Sequence, residues 1–184
     1  LVGGATFETT PLVGRAIRIA GLHGRGETQV GQRVFVRTAD LRLGRQRRQP
    51  ELRFVNRYHD DLGYIDALHR KIRAHWSHNG QADHLVMSFH GVPERTLLLG
   101  DPYHCECLKT ARMLAEKLGL GKDRYTVTFQ SRFGKAKWLE PYTEPTLVAL
   151  AQKGVKSVDV VCPGFTSDCL ETLEEIRMEA QEAY

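Results

Sequence analysis

The sequence predicts an α/β protein: a parallel sheet flanked by helices in a three-layer, Rossmann-type arrangement, preceded by an irregular N-terminal segment. Three observations predict it. Short apolar runs rich in β-branched and aromatic residues recur at 84–89, 125–129 and 155–161, the composition of buried strands. Stretches with apolar residues at helical spacing alternate with those runs, the order that builds parallel sheets. Turn-forming breaks follow the runs, as in His90-Gly91-Val92-Pro93, Gln130-Ser131-Arg132-Phe133-Gly134 and Cys162-Pro163-Gly164.

A length of 184 residues allows one domain, or one domain with an appendage, and 41% hydrophobic content is enough for a packed core. No run reaches the roughly 18 apolar residues of a membrane-spanning helix, and no charged-then-apolar leader opens the chain. The four cysteines, Cys105, Cys107, Cys162 and Cys169, are fewer than a secreted disulfide scaffold of this size carries, so a reducing, cytoplasmic compartment is expected. The chain opens at Leu1 rather than Met and closes at Tyr184 inside a helical pattern, which reads as a piece of something longer.

The net charge of +4 is uneven. Residues 1–48 hold nine Arg against Glu8, Glu27 and Asp40, so the remainder is slightly acidic, and no Lys precedes Lys71. This Gly- and Arg-rich stretch has weak apolar periodicity. It reads as an irregular segment over 1–45, disordered or out of frame, followed by a half-domain over 46–184. A nucleic-acid partner is not expected, because the segment lacks the regular interleaving of aromatics on which bases stack.

The elements follow in order. Residues 50–55 suit a short strand. Asp60 or Asp61 caps a helix to about His78, with Ile65, Leu68, Ile72 and Trp76 on one face and Asn79-Gly80 closing it. The strand ending at His90 comes next, then a loop from Gly91 to Tyr103. A second helix covers about 105–118, with Leu108, Met113, Leu114 and Leu118 inward. After the strand over 125–129 and its loop, Thr143 caps a short helix to Gln152. The strand over 155–161 leads through Pro163-Gly164 to a last helix starting at Ser167 or Asp168 and running to about Glu182.

Parallel strands put the loops at His90, Gln130 and Cys162 on one edge, where open α/β sheets bind ligands. That edge collects His90, Arg95, Gln130, Ser131, Arg132, Trp138, Asp168 and Glu171. A histidine at a strand end is, taken alone, more often structural than functional. Glu171 and Glu175, four apart, share a helix face, where like charges repel mildly unless a cation is presented to them. For Glu174, Glu179 and Glu182 a solvated helix face suffices.

These residues resemble a known family. Ser88-Phe89-His90-Gly91-Val92-Pro93, then Thr128-Phe129-Gln130-Ser131-Arg132-Phe133-Gly134 with Trp138-Leu139 and Pro141, then Cys162-Pro163-Gly164-Phe165 through Asp168-Cys169-Leu170-Glu171-Thr172-Leu173, look like bacterial ferrochelatase. The resemblance covers roughly 46–184 and rests on three motifs in order. It implies a chelatase-like fold and the insertion of ferrous iron into protoporphyrin IX, the last step of protoheme synthesis. It also implies His90 and Glu171 as the catalytic pair and, with Glu175, as metal-contacting residues. Gln130, Ser131, Arg132 and Trp138 fall in the substrate-binding stretch, with Phe133 a further wall candidate and Arg95 and Arg132 candidates for the propionates. The family's usual chain is nearly twice this length and built of two similar halves, so a truncated copy is expected.

The chemistry suits those residue types. Metal insertion releases two pyrrole protons; a neutral imidazole accepts one and also ligates the incoming metal. Carboxylates on one helix face give a hard, anionic route for a hydrated ferrous ion. Remote apolar contacts supply the energy that bends the flat macrocycle. No cofactor beyond the substrate iron is expected. A 2Fe–2S cluster on Cys105, Cys107, Cys162 and Cys169 has the right ligand count without a recognised spacing, so free thiols are preferred. A zinc site on His104, Cys105 and Cys107 is disfavoured by its tight spacing. The expected partners are protoporphyrin IX and ferrous iron, with a monomeric chain and peripheral contact with the inner membrane left open. The alternatives are a non-catalytic porphyrin- or heme-binding remnant and a related chelatase for another tetrapyrrole or metal.

Overall fold

The computed structural model describes the backbone of strand β1, Ala16–Gly21, and residues 57–184. The later elements are α1 (Leu62–Asn79), β2 (His84–His90), α2 (Glu94–Leu98), α3 (Tyr103–Leu118), β3 (Tyr125–Gln130), α4 (Thr143–Gln152), β4 (Ser157–Cys162) and α5. In α5, Glu171–Ala180 is wound as a π-helix and Gln181–Ala183 returns to α. The strands form one parallel sheet in the order β1-β4-β2-β3.

The sequence explains the main boundaries. Asp61 caps α1 by accepting from the Tyr64 backbone N–H at 2.8 Å, and Ile65, Leu68, Ile72 and Trp76 are the buried stripe, as their spacing predicts. Gly119 ends α3 in the left-handed conformation that costs a residue without Cβ little. The pleat sends alternate strand residues to opposite sides. Leu85, Met87 and Phe89 of β2, Phe129 of β3 and Val161 of β4 pack under α1 and α3. Val86, Val158, Val160 and Cys162 pack on the other face, with Leu147 of α4 and Ile176 and Ala180 of α5. These are the three layers the alternation of elements predicts.

Several local expectations change. The loop after His90 contains the short helix α2. Leu114 and Leu118 are buried as expected, but Leu108 is exposed, and Cys107, Thr110, Ala111 and Ala115 complete the inward face of α3. Thr143 is not a cap: Tyr142 takes that position, and the buried Thr143 hydroxyl turns toward β2 and β3. The strand expected over 50–55 and most of the irregular segment expected over 1–45 lie outside the described residues. Within that segment Ala16–Gly21 departs from the expectation and pairs with Ser157–Cys162 along its whole length. Among the described residues no helix is long and apolar enough to cross a membrane.

Candidate functional site

Register builds the site. β2 and β3 pair so that Ser88 faces Thr128 and His90 faces Gln130. The pleat then places Ser88, His90, Thr128, Gln130 and Cys162 together at the carboxyl end of the face that carries α4 and α5. Toward the other end the same face is lined by Val86, Val158 and Val160. One sheet face thus changes from core to polar site along its length.

His90 is half-buried. Its Nδ1 lies 2.6 Å from the Gly91 carbonyl oxygen. A carbonyl oxygen only accepts, so Nδ1 carries a proton and Nε2 is the ring nitrogen left to face the site, an acceptor whenever the ring is neutral. The Tyr103 hydroxyl donates to the His90 carbonyl at 2.8 Å. The ring sits 6.1 Å from that of Phe165 and 6.5 Å from that of Trp138. Gly91 is required by closeness: a Cβ there would lie 2.7 Å from the Gln130 carbonyl oxygen and 3.1 Å from the Trp138 ring. The loops after β2 and β3 are zipped together beside it. Leu139 N–H donates to the Val92 carbonyl, Glu94 N–H donates to the Lys137 carbonyl, and Lys137 pairs with Glu94 at 2.9 Å.

The opposing wall is the π-wound start of α5. Glu171 is half-buried there. A hydrogen bond from the Cys169 thiol holds its carboxyl below the usual range, bonding to its own backbone and the nearby His90 add to that, and partial burial opposes it. Gln130 Nε2 donates to the Glu171 carbonyl at 2.7 Å, an insertion into the helix ladder of the kind that accompanies widened turns. Glu175 accepts from three donors: the Ser131 backbone N–H, the Ser131 hydroxyl at 2.7 Å and Gln130 Nε2 at 3.4 Å. Ser131 reaches both bonds from a left-handed backbone, φ 66°.

The residues expected from sequence therefore separate. His90 lies near enough to Glu171 to act on its carboxyl electrostatically, and its Nε2 is not engaged by the bond to Gly91. Glu175 lies on the same helix, but its oxygens are committed to Gln130 and Ser131. Among the described residues no three His, Cys, Asp or Glu side chains already converge on a metal position. Gln130 is only 3% exposed and is turned into the protein, where all its hydrogen bonds are internal. It shapes the site from behind instead of lining it. Trp138 is also buried, with its Nε1 unpartnered among the described residues and its ring against Phe133, at 5.0 Å between centroids. Phe133 is 74% exposed. Arg132 lies over the Tyr142 ring at 4.7 Å, and Arg95 is exposed on α2.

The four thiols are not gathered. Cys107 lies in the core under α1 and α3, Cys162 in the core on the opposite sheet face, and Cys105 is exposed. Burial pushes the Cys107 thiol up to about 12 and the Cys162 thiol up as well, which holds both protonated, whereas cluster ligands are thiolates.

Sequence reasoning missed Ser88, Tyr103, Cys169 and Phe165. Ser88 was within reach: a strand residue two before His90 points to the same face. Phe165 and Cys169 stand within the third motif, which marks them without giving their roles, and nothing local marks Tyr103.

A family model for ferrochelatase matches residues 29–184. A ferrochelatase from Polaromonas sp. strain JS666 is 78% identical over 140 residues, covering 76% of this chain and 38% of the relative. One from Methylibium petroleiphilum is 74% identical over 140 residues, covering 76% of this chain and 39% of the relative. One from Janthinobacterium sp. strain Marseille is 66% identical over 136 residues, covering 74% and 37%. The chain thus spans less than half the length of the curated relatives it matches.

Proposed function

Because the chain belongs to the ferrochelatase family, we propose that it serves the insertion of ferrous iron into protoporphyrin IX to form protoheme, a lyase reaction, with His90 and Glu171 as the reacting pair. The observation that carries this reading is how the His90 ring is held. The bond from Nδ1 to the Gly91 carbonyl leaves Nε2 as the nitrogen free to meet substrate, near a Glu171 carboxyl held below its usual range.

Metal insertion exchanges two pyrrole protons for one divalent ion. His90 Nε2 takes a proton from the ring, or holds the ion until the ring accepts it. Glu171, kept anionic, offsets the positive charge of the arriving ion or of the protonated imidazole. Phe165 and Trp138 confine the His90 ring, so that its nitrogen is aimed before substrate arrives. Glu175 acts at one remove, through the helix it anchors. Ser131, Arg132 and Trp138 lie beside the macrocycle. Ferrous iron is substrate here, and the reading needs no resident cofactor. A monomeric chain in the cytoplasm, in peripheral contact with the inner membrane, completes it.

The test is metal insertion by the purified chain. Protoporphyrin IX is mixed with ferrous iron, or with zinc as a stable surrogate, and the porphyrin spectrum is followed. Turnover that disappears in His90→Ala and in Glu171→Gln supports the reading. Turnover that survives both variants overturns the assignment of the pair. Porphyrin binding without turnover in the parent chain, under conditions where an intact relative turns over, favours the non-catalytic porphyrin-binding remnant.

A further inference from the structure

Behind the reacting pair runs a chain of buried side chains that the chemistry above does not use. Ser88 is fully buried. Its hydroxyl lies 2.7 Å from Gln130 Oε1 and 2.8 Å from the Thr143 hydroxyl, which is itself 3.0 Å from the Thr128 hydroxyl. Gln130 Oε1 also receives the Cys162 thiol at 3.5 Å.

The direction of this chain is forced from its far end. Gln130 Nε2 faces a backbone carbonyl and a carboxylate, both of which only accept. Its Oε1 must therefore face the donors. Ser88 has one hydroxyl proton, and it goes to Gln130, so the Ser88 oxygen accepts from Thr143. A flipped amide would set its oxygen against the Glu171 carbonyl and the Glu175 carboxylate. The Cys162 thiol is too weak a donor to prevent that alone. The Ser88 hydroxyl then holds the amide oxygen from the side opposite those two acceptors.

We propose that Ser88, backed by Thr143, is a positioning residue for the acidic helix: it fixes the Gln130 amide, which ties the Glu171 backbone and the Glu175 carboxylate to the end of β3. The consequence for metal insertion rests on the reading of His90 and Glu171 given above. The clamp itself is a property of the fold and is testable without turnover.

The experiment uses the chain labelled with nitrogen-15 and three variants. Ser88→Ala removes the hydroxyl. Thr143→Val removes its backing with little change of shape, and Thr143→Ser keeps the hydroxyl as control. Two signals report the clamp: the Ser131 amide proton, shifted downfield by donating to a carboxylate, and solvent exchange of the Gln130 side-chain amide protons. The Trp76 indole proton, bonded to Asp159 at 2.6 Å in the other core, is the internal reference. In Ser88→Ala the Ser131 signal moves upfield and Gln130 amide exchange rises by about tenfold, the factor that loss of one buried hydrogen bond gives. Thr143→Val gives the same changes in smaller measure, Thr143→Ser does not, and Trp76 stays in place throughout. A lowered melting temperature with both clamp signals unmoved overturns the proposal. If Ser88→Ala fails to fold, Thr143→Val decides: clamp signals that match those of Thr143→Ser overturn it. An inactive chain would still give a readable answer, so failure of the proposal is distinct from failure of the catalytic assignment.

Discussion

The two faces of the sheet are made by the same strands and serve different ends. Under α1 and α3 the residues of β2 and β3 are Leu85, Met87, Phe89 and Phe129, an apolar layer that closes against Leu68, Ile72, Leu114 and Leu118. One residue on from Met87, Phe89 and Phe129, the other face carries Ser88, His90 and Gln130, with hydrogen bonds in place of close-packed methyl groups. The apolar face supplies stability, and the polar end of the other spends some of it. Side chains that must hold a lone pair or a carboxylate toward substrate cannot also bury hydrocarbon. Alternation along a strand lets a rigid core sit one bond away from the reacting group.

Removing the core side should therefore cost most. Phe129 is 1% exposed; it directly precedes Gln130 and pairs with Phe89, which directly precedes His90. Phe129→Ala should lower stability by about 3–5 kcal/mol, as loss of a buried aromatic side chain does. A urea titration followed by tryptophan fluorescence measures it. A loss below about 1 kcal/mol would mean that the face under α1 and α3 is not the principal core.

The seam between the faces comes next. Gly91→Ala places a methyl group against the Gln130 carbonyl and the Trp138 ring. The backbone oxygen cannot swing away as a flexible side chain would, so the loops after β2 and β3 must part. A loss of about 1–3 kcal/mol is expected, with the His90 imidazole carbon and nitrogen signals displaced. An unchanged His90 spectrum would show that the loops yield without disturbing the site.

On the polar side a smaller effect separates backbone from side chain. Ser131 holds Glu175 from a left-handed conformation. Ser131→Ala loses the hydroxyl and keeps the strain; Ser131→Gly loses the hydroxyl and relieves it. Glycine should come out more stable than alanine by about 1 kcal/mol. The reverse order would mean that the left-handed backbone at 131 is not a source of strain.

Much of this comparison was legible in the sequence. The stripe Ile65, Leu68, Ile72 and Trp76, the strand that stops at His-Gly-x-Pro and the three loops on one edge all follow from periodicity and from glycine and proline chemistry. Local pattern could not give what depends on register. That Gln130 lies opposite His90, and that Thr143 turns from its helix to Ser88, are facts about which strands are neighbours. The π-winding of α5 was equally hidden. Its sequence has ordinary helical periodicity, and the widened turn coincides with a donor arriving from β3, 41 positions earlier in the chain. The acidic residues of the last motif were found as a set, but their division into an ionised Glu171 and a clamped Glu175 came only with their partners.

The smallest predicted effect is a pH dependence at Glu171. The Cys169 thiol is the main cause of the lowered Glu171 pKa, and Cys169→Ala removes it. A carboxyl whose pKa is lower folded than unfolded stabilises the fold above its unfolded value, about 4.3, and that contribution is lost as pH falls through the lower folded value. In the variant the folded value moves up toward the unfolded one, so less is gained. The parent should exceed Cys169→Ala by a constant margin near neutral pH. That margin should shrink as pH falls below about 4.3 and level off once Glu171 is protonated in both states. Because Glu171 is only half-buried, solvent screens the effect and the margin is small. Carbon-13 titration of the Glu171 carboxyl gives the same sign directly: upward in Cys169→Ala. A Glu171 titration that ignores the substitution would mean that the thiol does not bond the carboxylate in solution, and would leave His90 and the helix start to hold it charged.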